Sequence, residues 1–402
     1  MSEFELKNGI KSCIKRNFNT PRAALTMCFS INDPEKYSGQ YLLMNRLLLK
    51  GTKKYTSEEL SAILDENAID FYTEMKYDYL RFRFVSLNED FELGLSILSD
   101  VVLNSTFDEF EKEKEKLKGE LMAELDSAKT RVSDLFTRTI FKNHFYGHSY
   151  TSILEEIDKT RLEDVKTSYM KMLKNSYKVL TFVGDMEEET VIELLNKYLS
   201  EIPESKEEVS AIPKPQKTKN EYAEYIKDDA QQAQIIQGWQ VPSIDSEDYH
   251  KLMLLNVILG TSGLSSRLFL ELREKKGLAY TVRTSYETHS KASVFSIYIG
   301  TEPSNIETSI KGFKEEIEKI KNTPVPDEEL HNAKNNIIGR QQFITETNSQ
   351  QANLMSYYAI SGKPFDYQTN VIERIKNTTA DELLECANKY FTEDFVLAVI
   401  KP

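Results

Sequence analysis

Alternating apolar and polar residues mark the strands of this chain. In YLRFRFVSL (79–87), Leu80, Phe82 and Phe84 fall on one face, while Tyr79, Arg81 and Arg83 fall on the other. ASVFSIYIG (292–300) alternates in the same way, with Phe295, Ile297 and Ile299 on its apolar side. KVLTFVGD (178–185), AQIIQGWQV (233–241) and FVLAVIKP (395–402) read as further strands, and Trp239 and Phe295 as core. Between them the apolar period changes to that of a helix. It predicts helices over 57–66, opened by the capping box Thr56-x-x-Glu59, and over 89–103, 107–126 and 186–199. In the second half helices are predicted over 246–259, 304–322, 326–345 and 380–391. Strands in succession followed by helices in succession give an α+β class, not an alternating parallel sheet.

The segment IPESKEEVSAIPKPQKTKN (202–220) is rich in proline and charge and lacks an apolar period, so it reads as a linker. It sets the expected domains at 1–205 and 222–402, with 206–221 between them. An internal repeat supports that division. IDKTRLEDVKTSYMKMLKNSYKVLTFV from Ile157 and IKNTTADELLECANKYFTEDFVLAVI from Ile375 keep one offset of 218 residues, pairing Thr160 with Thr378 and Val179 with Leu397. Each copy is a helix leading into a strand. The halves are therefore expected to share one fold, each a mostly antiparallel sheet packed with helices.

Composition narrows the function. Over 402 residues, 51 basic against 64 acidic side chains leave a net charge of −13, which disfavours nucleic acid and anionic membrane surfaces as partners. Cys13, Cys28 and Cys386 are widely spaced and form no CxxC pair, which argues against a disulfide framework or a cysteine zinc site. MSEFELKNGI lacks the basic and apolar regions of a signal peptide, and no apolar run approaches the roughly 20 residues of a membrane span. Lysine far outnumbers arginine, the usage of an AT-rich bacterial genome. The expected location is cytoplasmic.

Two stretches carry candidate chemistry. QYLLMNRLLLKGT (40–52) reads as a buried helix, yet Asn45 and Arg46 stand in the middle of it, where an unpaired amide or charge costs several kcal/mol. In ILGTSGLSSRLFLELREKKGLAYTVRTSYE (258–287), Ser265 can cap a helix running to about Lys275, Gly277 can supply its left-handed end, and a strand begins near Ala279. Arg273 then ends a helix and Tyr280 starts a strand, and both tips could serve a peptide carbonyl or a developing oxyanion. Chemistry alone favours the plainer reading of a solvated arginine and a half-buried aromatic. His144 and His148 are four residues apart, but Gly147 and the adjacent tyrosines speak against a helix and no acidic ligand completes a site. Ser262, Ser265 and Ser266 lack a G-x-S-x-G elbow, and Gly260-Thr261-Ser262-Gly263 lacks a phosphate-loop lysine.

With LLLKGTKKYTSEEL (47–60), HFYGHSY (144–150), FVGDMEEETVIELLNKYLSEIP (182–203) and above all GLSSRLFLELREKKGLAYTV (263–282), nearly the whole chain resembles the pitrilysin/insulinase family of zinc metallopeptidases. The resemblance implies two similar α/β-roll domains per subunit and two subunits closing like a clamshell over a peptide. It also places the family's H-x-x-E-H motif on the stretch before KGT, where this chain has Leu42, Asn45 and Arg46. Leucine offers no lone pair, asparagine cannot act as a general base, and arginine repels a cation, so no metal is expected in this chain. The family's third ligand falls at Glu120, seven residues after Glu113. Arg46 is expected to take the charge position of the metal and pair with Glu120 in bidentate fashion. Arg273 and Tyr280 match the family's substrate-holding pair. The resemblance thus implies a catalytically silent subunit that supplies Arg273 and Tyr280 in trans to a zinc-binding homologue in a heterodimer, with the zinc in that partner and a peptide as substrate. A non-enzymatic peptide-binding or scaffolding protein is the alternative.

Overall fold

A computed structural model describes residues 1–34 and 39–402. The chain divides into two compact units: Met1–Glu120 with Ile153–Ile212 and Gln342–Gln368, and Leu121–Ser152 with Pro213–Gln341 and Thr369–Pro402. The first holds a six-stranded sheet of β1 (Ser2–Glu5), β2 (Lys11–Arg16), β3 (Arg22–Ser30), β4 (Asp70–Met75), β5 (Tyr79–Leu87) and β6 (Lys178–Gly184), in the order β1-β2-β6-β3-β5-β4. Its β2–β6 pair is parallel and its other pairs are antiparallel.

The second unit holds β7 (Glu221–Ile226), β8 (Ala233–Val241), β9 (Ala279–Thr288), β10 (Ser293–Thr301) and β11 (Val396–Lys401), in the order β7-β11-β8-β10-β9. Only β7–β11 is parallel among these pairs. Position by position this is β2-β6-β3-β5-β4 again, with the same sense at each pairing. The repeat at constant offset thus appears as shared topology, with a helix leading into β6 in one unit and into β11 in the other. Both units are mixed α and β, mostly antiparallel, with helices packed on the sheets.

Strand position explains strand composition. Central β3 and β6 are buried along nearly their whole length and carry continuous apolar runs, whereas β5 alternates buried with half-buried residues. On one face of the first sheet, Phe91 of the Phe91–Asn104 helix packs between Phe84 and Phe182. On the other, Ala352, Met355, Ala359 and Ile360 of the Asn348–Ile360 helix close over Cys13, Cys28, Tyr79, Val179 and Val183. The second sheet receives the Ala128–Ile140 helix against β7, β8 and β11. Gly238 in β8 makes room for it: a Cβ there would lie 2.6 Å from the Phe136 ring and 2.8 Å from the Phe295 carbonyl.

Each unit therefore takes one covering helix from the opposite half of the sequence. The segment 203–219 contains no helix or strand, and the division at Ile212 falls within it. No described helix is long and apolar enough to cross a membrane.

The exchange predicts how the halves behave when separated. Residues 1–206 alone lack Met355, Ile360 and Phe365, three of the buried apolar side chains in that cluster. Burial of that many large side chains is worth about 5–9 kcal/mol, comparable to the whole stability of a domain. Fragments 1–206 and 207–402 are expected to co-purify when co-expressed and to aggregate or bind a hydrophobic dye when made singly. A cooperative unfolding transition from 1–206 alone would contradict the role given to the exchanged helix.

Candidate functional site

The Gln40–Leu47 helix buries Tyr41, Leu43, Met44 and Leu47 almost completely. Leu42, Asn45, Arg46 and Leu49 are half-buried and, at spacings of three, four and seven, share the remaining face. Asn45, Arg46 and Leu49 line a cavity of about 570 Å³ together with Phe71, Tyr72 and Thr73 of β4. Across from Arg46 runs the Phe110–Asp126 helix, which presents Glu113 and Glu120 two turns apart.

Arg46 spans both carboxylates. Its Nη1 and Nη2 donate to the two oxygens of Glu120 at 2.8 Å each, and its Nε donates to Glu113 at 3.1 Å. Lys50, one turn further on, reaches Glu113 at 3.0 Å and Glu109 at 3.4 Å. Arg46 on the helix and Lys50 just past its end repel each other, as do the acids opposite, and these charges are neutralised only across the gap. Burial works against the charge on Glu113, whose side chain is 4% exposed, but hydrogen bonds from Lys50 and Arg46 outweigh it and hold the carboxyl below its ordinary range. Glu120 is lowered chiefly by its hydrogen bond from Arg46, and that same bond raises Arg46 further.

A zinc ion does not fit this donor set. Both carboxylates are committed to Arg46, whose fixed positive charge lies where a cation would have to sit, and Leu42 brings no donor atom. Asn45 contributes only Oδ1, buried and without a hydrogen-bond partner. Among the described residues no group of three or more His, Cys, Asp or Glu side chains is arranged to hold a metal.

The second candidate pair lies in the other unit. Arg267 donates through Nε and Nη2 to the two oxygens of Glu329, at 2.8 and 2.7 Å, and pins the start of its helix to the Asp327–Phe343 helix. Leu268 and Leu272 are fully buried, and the backbone widens to a π-helical form over Phe269–Lys275. Gly277 then turns the chain with φ +63°, the Leu278 N–H donates to the Leu272 carbonyl, and β9 begins at Ala279. A Cβ at Gly277 would meet nothing within 4 Å, so the glycine serves the backbone angle and not the space. Close approach is the reason for Gly260, where a Cβ would lie 2.3 Å from the Thr284 nitrogen.

This turn brings Arg273 and Tyr280 together. Arg273 Nη1 donates to the Tyr280 carbonyl at 2.9 Å, and the guanidinium carbon stands 4.8 Å from the Tyr280 ring centre and 4.7 Å from that of Phe269. The arginine is thus held by backbone and stacking, while Tyr280 is 79% exposed and its hydroxyl has no protein partner among the described residues. The geometry offers a phenol O–H and the remaining guanidinium N–H groups to a carbonyl or oxyanion arriving from solvent.

The histidines of HFYGH lie in a compact turn. The Tyr146 N–H donates to His144 Nδ1 at 3.1 Å, and His144 Nε2 lies 3.0 Å from the Pro213 carbonyl. Lys50 and Glu109 are the part of the Arg46 cluster that sequence reasoning passed over. Their signal was present as spacings of four, from Arg46 and from Glu113, but it has meaning only once the two helices are known to face each other.

Similarity places this architecture in a family. The model described as Insulinase (Peptidase family M16) matches residues 15–157, and that of the Peptidase M16 inactive domain matches 159–337. The chain belongs to the M16, or pitrilysin-like, peptidase family. It is 24% identical to the uncharacterized zinc protease YmxG of Bacillus subtilis over 100% of this chain and 98% of that one. It is 23% identical to the non-peptidase homolog YmxG of Helicobacter pylori over 85% and 79% of the respective chains. A crystal structure of a protease from Helicobacter pylori shares the fold with a TM-score of 0.91 at 22% identity, covering 100% of this chain and 99% of that one. Within the family, this chain's own motif positions, Leu42, Asn45 and Arg46, do not supply the donors of a metal site.

Double-mutant cycles in urea test the cluster. Arg46→Leu is expected to cost about 1–3 kcal/mol, because it strips a buried carboxylate of a charged partner. The coupling of Arg46 with Glu113 should exceed that with Glu120, whose side chain is 47% exposed and screened by water. Strictly additive losses in both cycles would remove the cluster as a unit.

Proposed function

We propose that this chain is the non-metal subunit of a two-chain peptidase, pairing with a homologue that carries an intact H-x-x-E-H motif. One observation supports this reading above others. The chain holds an arginine between the carboxylates of the motif region, yet keeps Arg273 and Tyr280 in contact with the tyrosine ring open to solvent. In this account zinc belongs to the partner and supplies the activated water there. Arg273 and Tyr280 bind the scissile peptide's carbonyl and donate hydrogen bonds that strengthen as negative charge develops on its oxygen. Stacking and the bond to its neighbour's backbone pre-position the guanidinium, so little rotamer entropy is lost on binding. The reaction takes place in a cytoplasmic, bacterial setting.

A scaffold that merely holds peptides would use the same two side chains, and the assay that separates the two is cleavage by the reconstituted pair. With a zinc-binding homologue encoded in the same genome, the wild-type chain is expected to raise peptide turnover above that of either protein alone. Arg273→Ala should lower that turnover by about 10²–10³ while leaving co-elution of the two chains intact. Full turnover with Arg273→Ala, or failure of every intact homologue to associate, would overturn the proposal.

A further inference from the structure

At one end of the first unit's sheet, strands β2, β3 and β5 bring Lys15, Arg16, Arg22 and Arg83 to the wall of a cavity of about 1060 Å³. The acidic residues on that wall are Asp70 and Glu346, so the lining is basic in a chain whose net charge is −13. Arg16 is held by Glu187 at 2.9 Å, and Arg83 stacks 3.6 Å from the Tyr72 ring centre with Asp70 at 3.9 Å. Lys15 and Arg22 are exposed, and neither has a carboxylate partner among the described residues. Those two charges are available to a ligand.

The rest of the wall also favours an acceptor-bearing ligand. Residues 347–351, the cap and first turn of the Asn348–Ile360 helix, add the positive end of a helix. Asn17 Nδ2 donates to Asn348 Oδ1 at 2.6 Å and Asn348 Nδ2 to the Arg22 carbonyl at 2.7 Å, which ties the β2–β3 loop and the start of β3 at Arg22 to that turn. The Nε groups of Arg16 and Arg83 are buried without an acceptor, and Gln351 Oε1 is buried without a donor.

Spacing decides the ligand class. From β2, which carries Lys15, to β3, which carries Arg22, the sheet order crosses β6, which at ordinary strand separation is about 10 Å. Cations spread over that width are too far apart for one phosphate or one carboxylate. They suit an extended peptide, in which alternate side chains recur about every 6.5–7 Å. No aromatic ring is among the lining residues to stack a nucleobase.

We propose that this cavity binds an extended acidic peptide segment, with carboxylates on Lys15 and Arg22 and the peptide backbone against the carboxamides of Asn19 and Gln351. The site is independent of Arg273 and Tyr280 and does not require the chain to take part in proteolysis. Fluorescein-labelled octaglutamate, titrated with the full chain and followed by anisotropy, is expected to bind saturably and more weakly as salt is raised. Lys15→Glu/Arg22→Glu should weaken that binding by about tenfold or more. Lys15→Gln/Arg22→Gln should weaken it in the same direction, and it serves as the measurement if the charge reversal disturbs the circular dichroism melt. Absence of saturable binding to the wild-type chain, or unchanged binding in the folded variants, would overturn the site. Displacement of the label by tripolyphosphate at lower concentration than by unlabelled octaglutamate would overturn the peptide and assign a polyphosphate instead.

Discussion

A single guanidinium fixes what this molecule can do. Arg46 joins Glu113 and Glu120, two turns apart on a neighbouring helix, and Lys50 completes the neutralisation of the buried carboxylate. Glu113 would be costly in its place without these cations, since a buried carboxylate left uncompensated loses its hydration and gains nothing in return, whereas Glu120 keeps contact with water. The arrangement therefore answers two needs together. It keeps the helix pair closed as a bound cation could, and it commits the carboxylates that a metal would require.

The same economy of pairing recurs in the second unit, where Arg267 and Glu329 tie one helix to another and so set the base from which Arg273 and Tyr280 project. Duplication produced two copies of one sheet order, and the copies have diverged in what they display. One carries a closed ionic cluster beside a cavity, and the other carries an arginine stacked on an exposed tyrosine. A chain with this division can contribute binding groups to a reaction without possessing the group that performs it.

Much of this was legible in the sequence, and the reasons are physical. Strand β5 was legible because its two faces differ in burial, and the Ser57–Glu66 helix because its capping box closes on the expected residues. The Arg46–Glu120 pair could be anticipated because a guanidinium in an apolar helix must find a carboxylate, and because Glu120 stood at the matching position of a related motif. The exchanged helices were not legible. The Asn348–Ile360 helix buries Asn348 and Ser356 beside its apolar residues, and Thr26 Oγ1 donates to Asn353 Oδ1 while Thr181 Oγ1 donates to the Ala352 carbonyl. Polar side chains satisfied by distant strands erase the apolar period on which helix recognition rests. The same holds for the division of the chain, since a linker shows where composition changes but not which helix crosses to the other sheet.

The central claim is that Arg46 stands in place of a metal, and zinc titration of the purified single chain by calorimetry tests it most directly. No stoichiometric, tight binding event is expected in the wild-type chain. One zinc bound per chain, and lost on Glu120→Gln, would show that the carboxylates are free to leave Arg46 and would contradict it.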